Sequence, residues 1–329
     1  LLFNNLAICQ SNFDSLITIL DDPSINDQSK KETLWNLSHD ENSPKEVIYY
    51  ANELISLSNS ENDSLFLFRG YYALGNAYMQ LGNLSKALLT YFDCLKIAEK
   101  LNRQKAKGDA YGAIGDLHSL NRDYNNSTIY YKKAINQLRI SNDSISLASV
   151  LLNTGYNYYL TDQFDSALFY FGESKEIFDK KKYKPGVAYA NGNIGLVLAK
   201  EGSFQEAEKV FSTAIEELSK YEDYYAITEY QIEIASIYLQ DQNVDLFFKN
   251  INDALILSLN LGFKERIRDA SLMLSQVYRS HQDFKNAFKF QSQYINYRDS
   301  INNEETIRNM ANLQTEYEVG QKQAELDLV

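Results

Sequence analysis

The side chains of this 329-residue chain that could do chemistry are few. There are three histidines, His39, His118 and His281, and two cysteines, Cys9 and Cys94. No Gly-rich phosphate loop, Cys-x-x-Cys pair or His-Glu-x-x-His helix occurs. The acidic pairs Asp40-Glu41 and Glu304-Glu305 read as solvated charge, and two cysteines do not fix a redox compartment. We therefore expect no catalytic residue, no metal and no cofactor, and a chain that is not an enzyme. What remains is recognition. Aromatic rings flanked by acids suit an extended, neutral or basic peptide. The candidate ligand-binding residues are Arg69, Tyr72, Asn76, Met79, Asp109, Asp116, Leu152, Tyr156, Tyr159, Tyr189, Glu229 and Leu239, with Ser119, Asp269, Gln276 and Arg279 at equivalent places. The alternative is that they only line an unliganded surface.

These residues are defined by the elements that carry them. The stretch Tyr71-x-x-Leu74-Gly75-x-x-Tyr78 is followed by Leu81-Gly82-Asn83 and then by Ala87-x-x-x-Tyr91. Leu74 and Tyr78 lie four apart on one helical face. Gly75 and Ala87 are small, so two helices can approach there, and Tyr91 fills the space beside them. Gly82-Asn83 ends the first helix, where a left-handed residue is needed. The pattern recurs every 40 residues. Gly75 becomes Gly115, Gly155, Gly195, Ala235 and Ser275; Tyr78 becomes His118, Tyr158, Leu198, Tyr238 and Tyr278. Ala87 becomes Ser127, Ala167, Ala207, Phe247 and Ala287; Tyr91 becomes Tyr131, Phe171, Phe211, Ile251 and Gln291. Two columns stay nearly all small and two stay mostly large. The expected fold is all-α: a right-handed superhelical solenoid of helix-turn-helix repeats with a long C-terminal helix. Positions one and four after the small column, and three and six before it, should face the concave groove, and these give the candidate residues above. In this register His118 reads as a core residue and Cys94 as a small buried one.

Composition agrees. Hydrophobic residues make up 44% of the chain, ample for a core, and only 3 Pro and 14 Gly leave room for long helices. Tyr is abundant, at 25 residues, and reads as a filler of large positions of the repeat, with a recognition surface as the alternative. The net charge of −12 argues against nucleic acid and against an anionic membrane surface. The dense basic run, Lys180 to Lys184, reads as a solvated turn between repeats. No apolar run is long enough to span a membrane.

Residues 1–12 begin apolar and turn polar, which reads as the remnant of a secretory signal peptide, or else as a first amphipathic helix. Residues 13–67 hold a short helix at Phe13 to Leu20 and a degenerate first repeat. Its first helix, Ser29 to His39, turns Leu34, Trp35 and Ser38 inward; Ser43 caps its second, with Pro44 in the first turn. Residues 68–307 are six 40-residue units. The connectors read Asn102-Arg103-Gln104, Ser141 to Ser144, Tyr183-Lys184-Pro185-Gly186, Tyr221-Glu222-Asp223 and Asn260-Leu261-Gly262. Residues 308–329 start a C-terminal helix or coiled coil. Ile307, Met310, Leu313, Tyr317, Ala324 and Leu328 fall at three-four spacing, so the segment either pairs with its copy in a homodimer or caps the last repeat.

The six units resemble tetratricopeptide repeats over about three quarters of the chain; HEAT and armadillo repeats have similar periods but lack this spacing. The whole layout also resembles the periplasmic repeat region of bacterial transmembrane sensor proteins. The residues that carry this likeness are Asp14-Ser15-Leu16, Pro44-Lys45 to Tyr50-Ala51, Lys107-Gly108, Pro185-Gly186, Tyr297 to Ile301, Leu313 to Glu318 and Lys322 to Glu325. In that family the coil enters a membrane helix and a histidine kinase, nucleotide cyclase or DNA-binding output follows. The resemblance implies a peptide or protein ligand on the extracytoplasmic side of the inner membrane, with the membrane reached only through a segment beyond residue 329. The other reading is a cytosolic peptide-binding scaffold or regulator.

Overall fold

The computed structural model describes residues 15–20, 22–40 and 43–301, and in the C-terminal segment 309, 310, 313, 314, 316–318 and 321. Among these residues all regular structure is helical. Helix α1 covers residues 15–20. Then follow α2 (Asp27–Asp40), α3 (Pro44–Ser60), α4 (Ser64–Gln80), α5 (Leu84–Leu101), α6 (Gln104–Leu120), α7 (Tyr124–Ser141) and α8 (Ser144–Leu160). The series continues with α9 (Phe164–Lys180), α10 (Lys184–Lys200), α11 (Phe204–Ser219), α12 (Tyr224–Gln240), α13 (Val244–Leu261), α14 (Lys264–Ser280) and α15 (Phe284–Ile301). The helices form consecutive antiparallel pairs, as in a solenoid of tetratricopeptide type.

The turns set the period. A residue with left-handed backbone occurs at every twentieth position from Asn62 to Gln282, whatever its side chain: Gly82, Asn102, Arg122, Asn142, Asp162, Lys182, Gly202, Glu222, Gln242 and Gly262 lie between. At most of these turns the next residue donates its N–H to the carbonyl five back, as in Asn83 to Tyr78 (2.8 Å), Asp123 to His118 (2.8 Å) and Asn243 to Tyr238 (2.8 Å), whereas Asp143 donates to the Ser141 hydroxyl at 3.3 Å. This closes one helix. The same residue then opens the next: Asp63, Asn83, Asp123, Asn243 and Asp283 each accept a backbone N–H from the first turn that follows. The period of 40 therefore comes from longer helices, not longer connectors. The connector bounds shift accordingly: Gln104 opens α6, and Asn260 and Leu261 end α13. Lys184, Pro185 and Gly186 belong to α10, and the turn is Lys181-Lys182-Tyr183. Pro185 suits a first helical turn, which needs no N–H from it. Ser43 occupies the N-cap of α3, but its carbonyl rather than its side chain accepts from Glu46 and Val47.

The two key columns meet as the spacing predicts. A Cβ placed on Gly75, Gly115 or Gly155 would come within 2.5, 2.5 and 2.6 Å of the ring of Tyr91, Tyr131 or Phe171. Where the pair becomes Ser275 and Gln291, the side chains hydrogen-bond instead, at 3.1 Å. His118 and Cys94 are both buried, as their columns require.

The described residues form two compact units. The N-terminal unit runs to Val150 and includes the C-terminal segment from residue 309. Its cores gather Leu34, Leu37 and Leu54, then Leu88, Tyr91, Phe92, Ile114, Leu117 and Met310. The second unit runs from Leu151 to Ile301, with cores around Phe171, Phe211 and Tyr230 and around Phe247, Ile251 and Leu274. The described C-terminal residues do not cap the last repeat: Met310, Leu313 and Tyr317 pack on α5 and its neighbours, where a large apolar surface is offered. Residues 1–12, Ile307, Ala324 and Leu328 lie outside the described residues.

Candidate functional site

The first helices of successive pairs, α8, α10, α12 and α14, share one side of the second unit. Helices α10 and α12, and α12 and α14, touch directly. Tyr156 on α8 donates its hydroxyl to Glu229 Oε1 on α12 at 2.6 Å, across 73 residues of sequence. A hydrogen bond that reaches across an intervening repeat requires the inside of a curve. Arg266, in the first turn of α14, holds the other oxygen, Glu229 Oε2, at 2.8 Å. The Arg266 guanidinium also lies 4.5 Å from the Tyr225 ring centroid. Its Nε is buried and meets no acceptor among the described residues.

Around this pair stand further rings and acids. Tyr159 lies 5.8 Å from Tyr156, ring to ring. Tyr189 on α10 donates to Asp223 Oδ2 at 2.6 Å. Tyr230 presses on Gly192 and reaches Asn193 Oδ1 at 3.2 Å. Burial pushes the Tyr156 hydroxyl well up, and the Glu229 carboxylate adds to it. The carboxyl of Glu233, one turn after Glu229, is pushed up by burial, with Lys200 opposing. Burial works against the charge on Arg266, yet Glu229 and the neighbouring tyrosines raise its pKa and keep it protonated. The result is an inner face floored by tyrosine, with the Glu229–Arg266 ion pair and the further acids Asp223 and Glu233.

The predicted residues divide between the units. Tyr156, Tyr159 and Glu229 come together. Tyr189 stands by Asp223, Leu152 packs into the same core as Tyr156, and Leu239 belongs to the next core along. In the N-terminal unit the others are separately engaged. Arg69 stacks its guanidinium over Trp35 and Phe66 at 5.4 and 4.9 Å. Tyr72 packs on Phe68 and Tyr91, each 5.9 Å away. Met79 joins the core. Asn76 accepts from Tyr91 at 2.6 Å, and Asp116 accepts from Tyr131 at 2.7 Å, so these two groove positions are tied to the aromatic column of their own repeat. Asp109 pairs with Lys105 at 3.2 Å; burial nonetheless raises its carboxyl. Sequence reasoning missed Arg266, Tyr225 and Glu233. Arg266 and Tyr225 stand at helix starts, nine and ten residues before the small column, outside the four offsets used. Glu233 lies two residues before it, an offset also unused.

Residues 68–101 and 108–137 match the tetratricopeptide repeat family model, so these two helix pairs are tetratricopeptide repeats. No curated protein sequence matches the chain. Among solved structures, a Rap protein complexed with competence and sporulation factor is similar at TM-score 0.68 and 13% identity, covering 88% of this chain and 80% of that one. The Rap conjugation gene regulator of plasmid pLS20, in complex with the Phr* peptide, is similar at TM-score 0.67 and 13% identity, covering 89% and 83%. Aspartyl phosphate phosphatase F from Bacillus subtilis is similar at TM-score 0.65 and 13% identity, covering 88% and 74%. At this identity the likeness is one of fold.

Proposed function

We propose that this chain is a non-catalytic scaffold that binds a peptide or protein segment on the inner face of its second unit. The observation that carries the reading is the Tyr156–Glu229–Arg266 network. A buried ion pair is a weak way to stabilise a fold, because desolvation offsets its Coulomb attraction. Apolar side chains would close this face at least as well. The network instead leaves a donor, Arg266 Nε, unsatisfied, and that unmet demand suits a backbone carbonyl of an extended peptide after a small side-chain rotation. Tyrosine faces take apolar side chains, and Glu233 with Asp223 favours a neutral or basic segment. The similar fold solved with the Phr* peptide supports a peptide as the kind of ligand.

In the fuller reading the chain is the sensor region of a bacterial transmembrane receptor, outside the inner membrane, and binding is relayed through the C-terminal segment. The motif likenesses from Asp14-Ser15-Leu16 to Lys322–Glu325 support it. Two experiments test the two levels. An array of eight-residue peptides of graded charge, probed with the full chain, should retain neutral and basic members; no retention would overturn the binding reading. The gene on both sides of residues 1 and 329 should encode a charged leader and an apolar run of about twenty residues. A start codon at residue 1 and a stop after Val329 would overturn the receptor reading and leave the scaffold.

A further inference from the structure

Phe92 lies on the outer side of α5. Forty-residue steps from it lead to Lys132, Gly172, Ser212, Asn252 and Ser292, none of them apolar and large, and all exposed or half-buried. Phe92 alone in this column is covered, with 2% of its surface exposed. Leu88, one turn earlier, is likewise fully buried, whereas Thr128, Leu168, Glu208 and Phe248 in its column are half-buried and Phe288 is 75% exposed. What covers the site is the C-terminal segment of the same unit. The Tyr317 ring lies flat on Phe92, centroids 3.9 Å apart and planes 2° apart, and Lys96 Nζ stands 5.9 Å from the Tyr317 centroid. Met310 is buried in the same core, and Leu313 packs against it. The segment's own polar side chains support a helix: Gln314 donates to Glu318 at 2.8 Å and Gln321 to the Tyr317 hydroxyl at 3.2 Å, both four residues apart.

Met310, Leu313 and Tyr317 form one helical stripe, and they are also the residues of the heptad-like seam through which this segment could pair with a second copy. One stripe cannot serve both contacts at once. We infer that the face of α5 from Leu88 to Lys96, with Tyr130 beside it, is a docking surface for an amphipathic helix, and that its occupant is the chain's own C-terminal segment that carries Met310, Leu313 and Tyr317, held as a latch that withholds the coil seam from a second copy. Stacking of Tyr317 on Phe92, burial of Met310 and packing of Leu313 make the contact; aromatic and apolar packing of this size is reversible. Release exposes Phe92 and Leu88 and frees the seam together. The inference does not depend on the inner face of the second unit.

Hydrogen exchange and sedimentation of the full chain test it. In the wild type, that C-terminal segment should be protected at concentrations where the protein is a monomer. Phe92→Ser, a residue type its column accepts, should speed exchange of that segment at least tenfold, leave α8 to α15 unchanged, and raise self-association. Tyr317→Asp with Met310→Asp should free the segment without self-association, because the seam is lost too, and this pair leaves the helical repeats untouched. Free exchange of the segment in the wild type, or undiminished protection in Phe92→Ser, would overturn the docking. Protection that appears only as copies associate would overturn the intramolecular latch. A freed segment without self-association in Phe92→Ser would overturn the withholding of the seam.

Discussion

The Tyr156 hydroxyl and the Glu229 carboxylate, 73 residues apart, meet at 2.6 Å across the intervening α10, because α8 and α12 both turn their side chains to the inner side of the second unit. Arg266 completes the arrangement from α14 at 2.8 Å. Removing the hydroxyl with Tyr156→Phe keeps the ring and deletes one hydrogen bond to a charged group, an expected loss of about 1.5–3 kcal/mol. Glu229→Gln should cost more, since it also strands a buried guanidinium. Urea midpoints of the two single variants and the double variant check this; additive losses would mean the pair is not coupled.

Glycines in these helices should divide sharply by what faces them. Gly115→Ala drives a methyl against the Tyr131 ring and should cost about 1–3 kcal/mol. A Cβ on Gly172 in α9 would meet no other described residue within 4 Å, so Gly172→Ala should stabilise by about 0.5–1 kcal/mol. Equal effects at the two positions, read from thermal unfolding, would contradict the packing of the small and aromatic columns.

Left-handed turn residues give a prediction of the opposite sign. Glu222 and Lys182 carry side chains at φ 53° and 54°. Replacing either with Gly should relieve about 1 kcal/mol of strain. Gly82→Ala, at φ 71°, should lose a similar amount. Unfolding midpoints that move the other way would show that the turns are not held in this conformation.

Acid sensitivity should come in part from His118. Its ring is buried, stacks on Tyr130 with centroids 5.4 Å apart, and has Nδ1 3.2 Å from Asp123 Oδ2. Burial lowers its pKa below 6.5, although Asp123 and Glu318 pull the other way. The unfolded chain therefore takes up a proton before the folded one does as pH falls through about 6.5. The stability this histidine contributes is complete above that value and declines below it. His118→Tyr, the residue type at Tyr78, Tyr158 and Tyr238, should make the N-terminal unit less sensitive between pH 7.5 and 5. An unchanged pH profile would remove His118 as the cause.

The repeat was legible because its columns carry steric information. Gly75 beside Tyr91 is a contact that spacing alone specifies, and it persists to Ser275 and Gln291, where a hydrogen bond replaces it. The turns were half legible. Gly82 and Gly262 announce a left-handed residue, but Arg122, Lys182 and Glu222 do not, since the surrounding helices impose that conformation on side chains that do not favour it. For that reason Pro185-Gly186 reads as a connector in the sequence, although both residues lie in α10. The inner face was legible only as far as one helix surface can be projected. Tyr156, Tyr159 and Glu229 follow from position in the repeat. Their junction with Arg266 depends on how tightly successive repeats curve, a property of many small packing angles and not of any single motif. The docking of Tyr317 on Phe92 was hidden for a similar reason: each residue looks like a local anomaly until the other is found.

The central claim, peptide recognition on the inner face of the second unit, is most directly tested by calorimetric titration of a basic eight-residue peptide retained on the array. We predict binding by the full chain that weakens at least tenfold in Glu233→Gln and in Tyr156→Phe, with helix content unchanged by circular dichroism. Equal affinity in the wild type and both variants would place binding elsewhere and contradict the account.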